Sequence, residues 1–355
     1  MKFLGIPKYM VQFPGGNWFA LLEFGKCCKS KAWIPLLATL VLINGCSEPD
    51  VGTGWRTTED QSEIVAQNGQ SILTIGDIDS DTPVHRMNQI RPLANYLARG
   101  LGWDNTSRVR IRIARSVDEM ALMIQEGKVD IFMDSTYPTL AVRRQTGTRI
   151  IAESIINGER SYHTLLIAGR NTGYDDLSDL VGHTIAFQDQ NSTSGYILPA
   201  GVLLERGFSI TQTTGPMHLP PAEHIGYFFS GDEENTLSMI RNGIVNAGAI
   251  SVLDYESLPS EIREELIILA RSPEVPRKLT SVAATMSEEL ALKITDILLA
   301  ITESDLKQMA QEQSQYSTPW KWDFQASNQN TEAEIASFES LIDLVERAVE
   351  GVDTE

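Results

Sequence analysis

Three hydroxyl side chains followed by a glycine form the most informative stretch of this sequence: Ser192, Thr193, Ser194 and Gly195. They lie between an apolar segment, 184–187, that favours a β-strand and a segment, 196–206, that favours a helix. The first N–H groups of a helix have no intrahelical partner, and the helix dipole is positive there. The stretch therefore predicts a site for a phosphate-like or carboxylate group, with Gly195 allowing close approach to the backbone. An ordinary helix cap is the alternative that these residues leave open.

The elements around this stretch alternate between strand and helix from residue 71 onward. The first five are predicted as a strand at 72–76, a helix at 87–99, a strand at 109–113, a helix at 117–126 and a strand at 129–133. Such alternation predicts a sheet with parallel strands covered by helices. Ser116 and Glu119 predict a capping box at the start of the second helix, and Gly127 predicts its end.

A short internal similarity indicates how the chain is organised. Two segments, 126–131 and 242–247, share one pattern. Each comes at the end of an amphipathic helix and contains a glycine that is followed by an apolar segment. Two similar units of this kind predict two lobes of like architecture with a cleft between them. Chance recurrence of a common helix-to-strand connection is the alternative.

Motifs of the common enzyme classes do not occur in the sequence. It has no Gly-x-Ser-x-Gly, no His-Glu-x-x-His and no phosphate-binding Walker loop of the P-loop nucleoside triphosphatases. Its five histidines are scattered, and no sequence pattern pairs one with a nucleophile: His85, His163, His183, His218 and His224. A metal site at His218 and His224, six residues apart in a proline-rich loop, is the alternative that the sequence leaves open. The sequence therefore predicts a binding protein, not an enzyme, with no cofactor and no metal.

The N-terminal region has the pattern of a secretory signal. Basic residues from Lys26 to Lys31 precede an apolar run, 32–43, and small residues lead to Cys46. The run is too short to span a bilayer, which takes roughly 20 residues. It resembles a bacterial lipoprotein signal, which implies a signal peptide at 1–45 and lipidation of Cys46. The 25 residues before Lys26 are long for a signal and fit an upstream start codon; an uncleaved anchor is the alternative.

Composition narrows the class further. The three cysteines, Cys27, Cys28 and Cys46, all belong to the signal or its end, so the mature chain has no disulfide framework. Residues 46–70 are polar and predict a flexible tether. The net charge of −18 argues against nucleic acid and against charge-driven docking on anionic lipid.

Several segments, taken in chain order, resemble the phosphate/phosphite/phosphonate-binding proteins of ABC importers, a branch of the type II periplasmic solute receptors. These segments are 90–97, 126–131, 179–187, 192–196, 242–249 and 270–273. The resemblance implies an α/β fold with two lobes, each a mixed sheet flanked by helices, that close on a ligand as a Venus flytrap. It places the oxyanion head of that ligand on Ser192 to Gly195.

The resemblance also implies further ligand-binding residues, and the sequence departs from the family at some of them. Ser135 and Thr136 are implied as donors, and Tyr162 as an aromatic residue lining the cleft. Three acids occupy positions where the family has other residues: Asp134, Asp232 and Glu233. Because carboxylates repel an anion, these acids either point away or meet a cation on the ligand, as in an aminoalkyl phosphonate. A helix N-cap is the alternative for Asp232.

The lobes are expected at 71–162 plus 272–350 and at 163–271, with crossings at 162–168 and 267–276. C-terminal helices at 288–302 and 332–349 are expected to pack on the first lobe. The expected function is capture of a small oxyanion for an inner-membrane ABC permease, by a monomer lipid-anchored on the periplasmic side of the cell envelope. A ligand-sensing partner of a membrane signalling protein, or a receptor for a non-phosphorus ligand, is the alternative.

Overall fold

The computed structural model of this chain describes residues 72–80, 82–103, 108–313 and 321–350. The predicted signal peptide, the tether and Cys46 lie outside the described residues. In the described part, no helix combines the length and apolar character that crossing a membrane requires.

The first sheet has six strands. In chain order they are β1 (Leu73–Ile78), β2 (Val109–Ala114), β3 (Ile131–Ser135), β4 (Arg149–Ile156), β13 (Lys278–Val282) and β14 (Trp322–Ala326). Across the sheet they follow the order β14-β4-β13-β3-β1-β2. β1 pairs in parallel with β2 and β3, whereas β13 is antiparallel to both β3 and β4. The carboxyl ends of β1 and β3 therefore meet at one edge of the sheet.

The second sheet also has six strands. They are β6 (Thr164–Gly169), β7 (Thr184–Phe187), β8 (Ser209–Gln212), β9 (His224–Phe229), β10 (Ala247–Ser251) and β11 (Leu266–Arg271), in the order β11-β6-β10-β7-β9-β8. Two short strands, β5 (Ser161–Tyr162) and β12 (Val275–Pro276), pair with each other where the chain passes between the sheets. Both six-stranded sheets combine parallel and antiparallel pairs, which confirms the predicted mixed α/β fold.

Helices flank both sheets. They are α1 (Pro83–Gly100), α2 (Val117–Gln125), α3 (Thr136–Thr146), α4 (Leu198–Glu205), α5 (Glu233–Arg241), α6 (Val252–Ser257), α7 (Ser260–Glu264), α8 (Glu288–Leu299), α9 (Glu303–Gln313) and α10 (Gln329–Glu350). α1 begins four residues before its predicted start, because Pro83 suits the first helical position, where no N–H is needed.

The start of α2 differs in detail from the predicted capping box. The Ser116 hydroxyl accepts from the N–H of Glu119 at 3.2 Å, as expected. The Glu119 carboxylate, however, accepts from the N–H of Arg115 at 2.8 Å and not from that of Ser116. Gly127 has a φ of +68°, which confirms the predicted helix end.

The strands of the two sheets separate cleanly along the chain. Those of the first come from 73–156 and 278–326, and those of the second from 164–271. On this distribution we propose lobe boundaries at 71–162 plus 272–350 and at 163–271.

The C-terminal helix α10, expected to pack on the first lobe, packs against both lobes. Its apolar face joins the core around α4, where Leu341 lies so close to Gly201 that an added Cβ would come within 2.5 Å of it. On its other side, Asp343 and Glu346 pair with Arg144 of α3 at 2.8 and 3.2 Å. The expectation is therefore confirmed only for the charged side of this helix, and its apolar face packs on the second lobe: an apolar stripe predicts that a helix packs, but does not say against which partner.

Candidate functional site

Two cavities lie side by side where the ends of β1 and β3 approach the segment after β7. The first, of about 310 Å³, is lined by one guanidinium and five carboxylates among the described residues, and we call it the acidic cavity. Its charged residues are Arg86, Asp79, Asp134, Asp189, Asp232 and Glu233. The second, of about 210 Å³, lies beside the β5–β12 crossing, and we call it the hinge cavity. Its polar residues are Ser135, Tyr162, Arg277 and Lys278, with Arg86 and Asp134 shared between both cavities.

Asp134 lies at the boundary between the cavities and is almost fully buried. Its carboxylate accepts hydrogen bonds from the N–H of Ile78 at 3.0 Å and of Ser135 at 2.6 Å. Burial raises the pKa of Asp134 to about 6, and the negative charge of Asp77 adds to this; Lys278 and Arg86 oppose it. Asp134 therefore changes its charge within an accessible pH range.

Two cations that line the cavities, Lys278 and Arg86, pair with carboxylates on β1 and in the turn after it. Lys278 donates to Asp77 at 2.7 Å, and the Nε of Arg86 donates to Asp79 at 3.2 Å. Burial alone lowers the pKa of Arg86, but Asp77, Asp134 and Asp79 together raise it above its ordinary value. Arg86 is therefore a permanent positive charge shared by the two cavities.

The predicted helix start has an unexpected geometry. A single π-helical turn, Thr193–Ile197, precedes α4. The Ser192 hydroxyl accepts from the N–H of Gly195 at 2.9 Å and also lines the acidic cavity, so Ser192 is a cap and a cavity residue at once. Gly195 faces Gln188: an added Cβ would lie 2.5 Å from the Gln188 Cβ. The space that Gly195 leaves is thus occupied by a side chain of the protein.

Thr193 joins the two lobes. Its hydroxyl accepts from the N–H of Tyr137 at 2.9 Å and donates to the hydroxyl of Ser135 at 3.1 Å. Tyr162 is 8% exposed, and burial raises its pKa to about 12, with the neighbouring hydroxyls of Thr193 and Ser194 partly offsetting this. Tyr162 is therefore a neutral phenol near neutral pH, able to donate a hydrogen bond.

On the opposite wall, two acids open helix α5. The Asp232 carboxylate accepts from the N–H of Asn235 at 2.6 Å, so Asp232 is a helix N-cap that also lines the acidic cavity. Burial raises the pKa of Glu233, and repulsion from Asp254 and Asp232 raises it further. A cation placed beside Glu233 would relieve this repulsion.

The structure brings most of the predicted site residues to these cavities. Asp134, Ser192, Asp232 and Glu233 line the acidic cavity; Ser135 and Tyr162 line the hinge cavity. Thr193 and Ser194 lie beside Tyr162. Thr136 lies elsewhere: its side chain is fully buried, and its hydroxyl donates to the carbonyl of Pro276.

Several polar residues of the cavities were not predicted from the sequence. They are Asp79, Arg86, Gln188, Asp189, Arg277 and Lys278. A signal did exist for some of them. Asp79 follows β1, whose parallel pairing places it at the carboxyl edge of the sheet, where ligands bind in α/β folds. Lys278 opens β13, whose five residues are all buried, and a buried charge in such a place needs a partner.

Comparison with known proteins bears on the family and the fold of this chain. Residues 76–324 match the model of the family described as "ABC transporter, phosphonate, periplasmic substrate-binding protein". Among solved structures, XAC2383 from Xanthomonas citri bound to ATP is 23% identical with a TM-score of 0.70, covering 79% of this chain and 100% of that one.

Two further structures come from phosphonate transport. A binding protein component of an ABC phosphonate transporter (PA3383) from Pseudomonas aeruginosa is 18% identical with a TM-score of 0.58, covering 79% of this chain and 88% of that one. PhnD1 from Prochlorococcus marinus in complex with methylphosphonate is 14% identical with a TM-score of 0.57, covering 76% of this chain and 97% of that one. At these identities the likeness concerns the fold.

Proposed function

We propose, from the premise that this chain belongs to the family of periplasmic substrate-binding proteins of phosphonate ABC transporters, that its cleft captures a zwitterionic aminoalkyl phosphonate. As a member of that family the chain is a solute-binding transport component and not an enzyme. It works in the periplasm, and its partners are a small ligand and an ABC permease.

The charge of the acidic cavity carries the proposal for the amine. Five carboxylates and one guanidinium line it among the described residues. An ionised carboxylate that faces an anion is costly unless it is paired or protonated. A ligand ammonium between Asp134 and Glu233 could pair with both acids and would offset one of their negative charges. A plain phosphonate would leave them facing one another.

The hydroxyl groups nearby support the position proposed for the phosphonate. Ser135, Tyr162, Thr193 and Ser194 are neighbours around the hinge cavity and the π turn. Hydroxyl donors to an ionised oxygen make hydrogen bonds that are stronger than neutral ones. The acidic cavity, about 310 Å³, lies at the low end of the range for small-ligand sites, roughly 300–1,000 Å³.

A nucleotide is the second ligand class that a comparison raises, because XAC2383 was solved with ATP. The acidic cavity argues against it here. A triphosphate would bring several negative charges to a wall of carboxylates, and Arg86, their only cation among the described residues of that cavity, is already paired with Asp79.

Isothermal titration calorimetry with a matched ligand series tests the proposal. The series is 2-aminoethylphosphonate, ethylphosphonate, 2-aminoethylsulfonate, phosphate and ATP. We expect 2-aminoethylphosphonate to bind most tightly, since it alone joins an ammonium to a phosphonate. Equal affinity for ethylphosphonate would show that the acids do not bind an ammonium. Tighter binding of 2-aminoethylsulfonate would show that the ligand is not a phosphonate.

The mode of membrane attachment is a further part of the proposal. We propose that Cys46 is lipidated, which the basic and apolar segments before it support. Its acyl chains would then hold the mature protein on the periplasmic side of the cell envelope, with residues 46–70 as the tether. We also propose that the protein is a monomer.

A further inference from the structure

Arg277 stands on one of the two segments that join the lobes. β12 ends at Pro276, directly before it, and pairs with β5 so that Val275 lies opposite Tyr162. The N–H of Arg277 continues this pairing by donating to the carbonyl of Arg160 at 2.8 Å. The backbone of Arg277 is thus fixed at the crossing, and its side chain lines the hinge cavity.

Three cations and one carboxylate, Asp134, line the hinge cavity, and two of the cations have short ion pairs with other carboxylates. Lys278 pairs with Asp77 at 2.7 Å, and Arg86 pairs with Asp79 at 3.2 Å. Within 72–80, 82–103, 108–313 and 321–350, no carboxylate lies within 4.0 Å of the Arg277 guanidinium, which donates a hydrogen bond to the carbonyl of Ile156 at 2.6 Å. Burial lowers the pKa of Arg277, and the charges of Asp254 and Glu159 oppose this only in part.

Donors of a second kind share this cavity. The hydroxyls of Ser135 and Tyr162 line it, and Tyr162 is a neutral phenol at physiological pH because burial raises its pKa to about 12. A guanidinium and hydroxyl donors are the groups that recognise a phosphonate or phosphate head. Asp134 separates them from the acidic cavity.

We propose that Arg277 is the cationic partner of the ligand's phosphonate head, which lies in the hinge cavity while the ammonium extends into the acidic cavity. This inference rests on the proposed function. It makes the cleft bipolar: the oxyanion is bound at the crossing between the lobes, and the amine is bound in the acidic cavity, between Asp134 and Glu233.

Variants of Arg277 test this assignment with two ligands that differ in the amine alone. Arg277→Gln removes the charge and keeps a side chain able to donate to the Ile156 carbonyl; Arg277→Lys restores the charge. Arg241→Gln is the matched control, since it also removes one positive charge, at an exposed pair with Glu265 in the second lobe. Affinities for ethylphosphonate and 2-aminoethylphosphonate are measured by calorimetry, after thermal melts without ligand show that each variant is folded.

For Arg277→Gln we expect both affinities to fall by about tenfold to a hundredfold, as for a lost charge-assisted hydrogen bond. The ratio of the two affinities should stay as in the wild type, because the amine is bound elsewhere. Arg277→Lys should recover part of the loss, and Arg241→Gln should bind as the wild type does.

A second measurement reports on charge alone. The ³¹P NMR shift of bound ethylphosphonate, followed over pH, gives the pKa of the last ionisation of the bound phosphonate. A nearby guanidinium lowers this pKa. We expect the pKa to be higher in Arg277→Gln than in the wild type. A folded Arg277→Gln protein with unchanged affinities and an unchanged bound-state ionisation would overturn the assignment while leaving the proposed function standing. A wild type that binds no phosphonate would overturn both.

Discussion

The side chain of Gln188 lies directly over the Cα of Gly195, where an added Cβ would come within 2.5 Å of the Gln188 Cβ. There are thus two explanations for a glycine at position 195: the sequence suggests that it lets a ligand approach the backbone, whereas the structure shows that it leaves room for the Gln188 side chain. The two explanations make different predictions for a pair of variants.

Gly195→Ala alone should destabilise the protein and weaken phosphonate binding, because the new methyl group displaces Gln188. Adding Gln188→Gly should restore much of the melting temperature, since it removes the Cβ of Gln188 together with the rest of its side chain and the space then becomes free. A thermal melt of both variants and of Gln188→Gly completes the double-mutant cycle. If the second substitution restores nothing, the methyl group acts on something other than Gln188.

Thr193→Val should weaken binding of every phosphonate by roughly tenfold or more, because about 1.4 kcal/mol is one decade and a buried hydrogen bond is worth on the order of that much. The lost contacts are those to Tyr137 and Ser135, which join the lobes. Thr193→Ser is the control that keeps the hydroxyl. Calorimetry on both variants checks this, and equal affinities would show that the hydroxyl serves neither the closed form nor the ligand.

Glu233→Gln should separate the ligands by their amine. Affinity for 2-aminoethylphosphonate should fall by about tenfold, which is the scale expected for the loss of one partly buried ion pair. Affinity for ethylphosphonate, which has no amine, should stay the same or rise. Glu234→Gln is the matched control, since Glu234 is the exposed neighbour on the same helix. A parallel fall for both ligands would place Glu233 in a structural role.

Asp134 should make the unfolding free energy depend on pH in a defined window. Its pKa of about 6 in the folded protein lies above its ordinary value of 3.8, so the folded state binds more protons between these values. Stability from this group is fully present below about pH 4, falls as pH rises and is lost above about pH 6. Urea denaturation of Asp134→Asn across this range should show a shallower fall; some slope remains because the pKa of Glu233 is also raised. An unchanged slope would contradict the assignment.

Cys46→Ser should release the protein from membranes into the soluble fraction or leave it unprocessed. Mass spectrometry of the wild-type N-terminus should find acyl chains on Cys46. A mature N-terminus at another residue, without lipid, would refute the anchoring proposal.

Much of the fold could be predicted because its signals are local. The strand expected at 184–187 occurs as β7, and the helix expected at 196–206 occurs as the shorter α4, after which Gly207 has a φ of +85°. Periodicity and glycine position specify such features within a few residues of sequence. The π turn between them could not be predicted, because it depends on how Ser192 and Gln188 pack around Gly195.

The charged part of the site was harder to predict for a physical reason. Lys278 and Asp77 form a buried pair although 201 residues separate them in sequence. That Arg277 forms no ion pair within 4.0 Å among the described residues becomes visible only when the folded positions of the carboxylates are known. A sequence shows which side chains carry charge, whereas the site depends on which of those charges remain uncompensated after folding.

The position of α10 has a consequence for how this protein can be divided. Five of its apolar residues belong to the same core as α4 and the second sheet: Ile335, Phe338, Leu341, Ile342 and Val345. A recombinant fragment of residues 163–271 would contain every strand of that sheet and still lack this cover. We expect it to associate or to melt early, unless a peptide spanning α10 is supplied in trans. The second lobe is thus a complete sheet but an incomplete folding unit, and its last component comes from the far end of the chain.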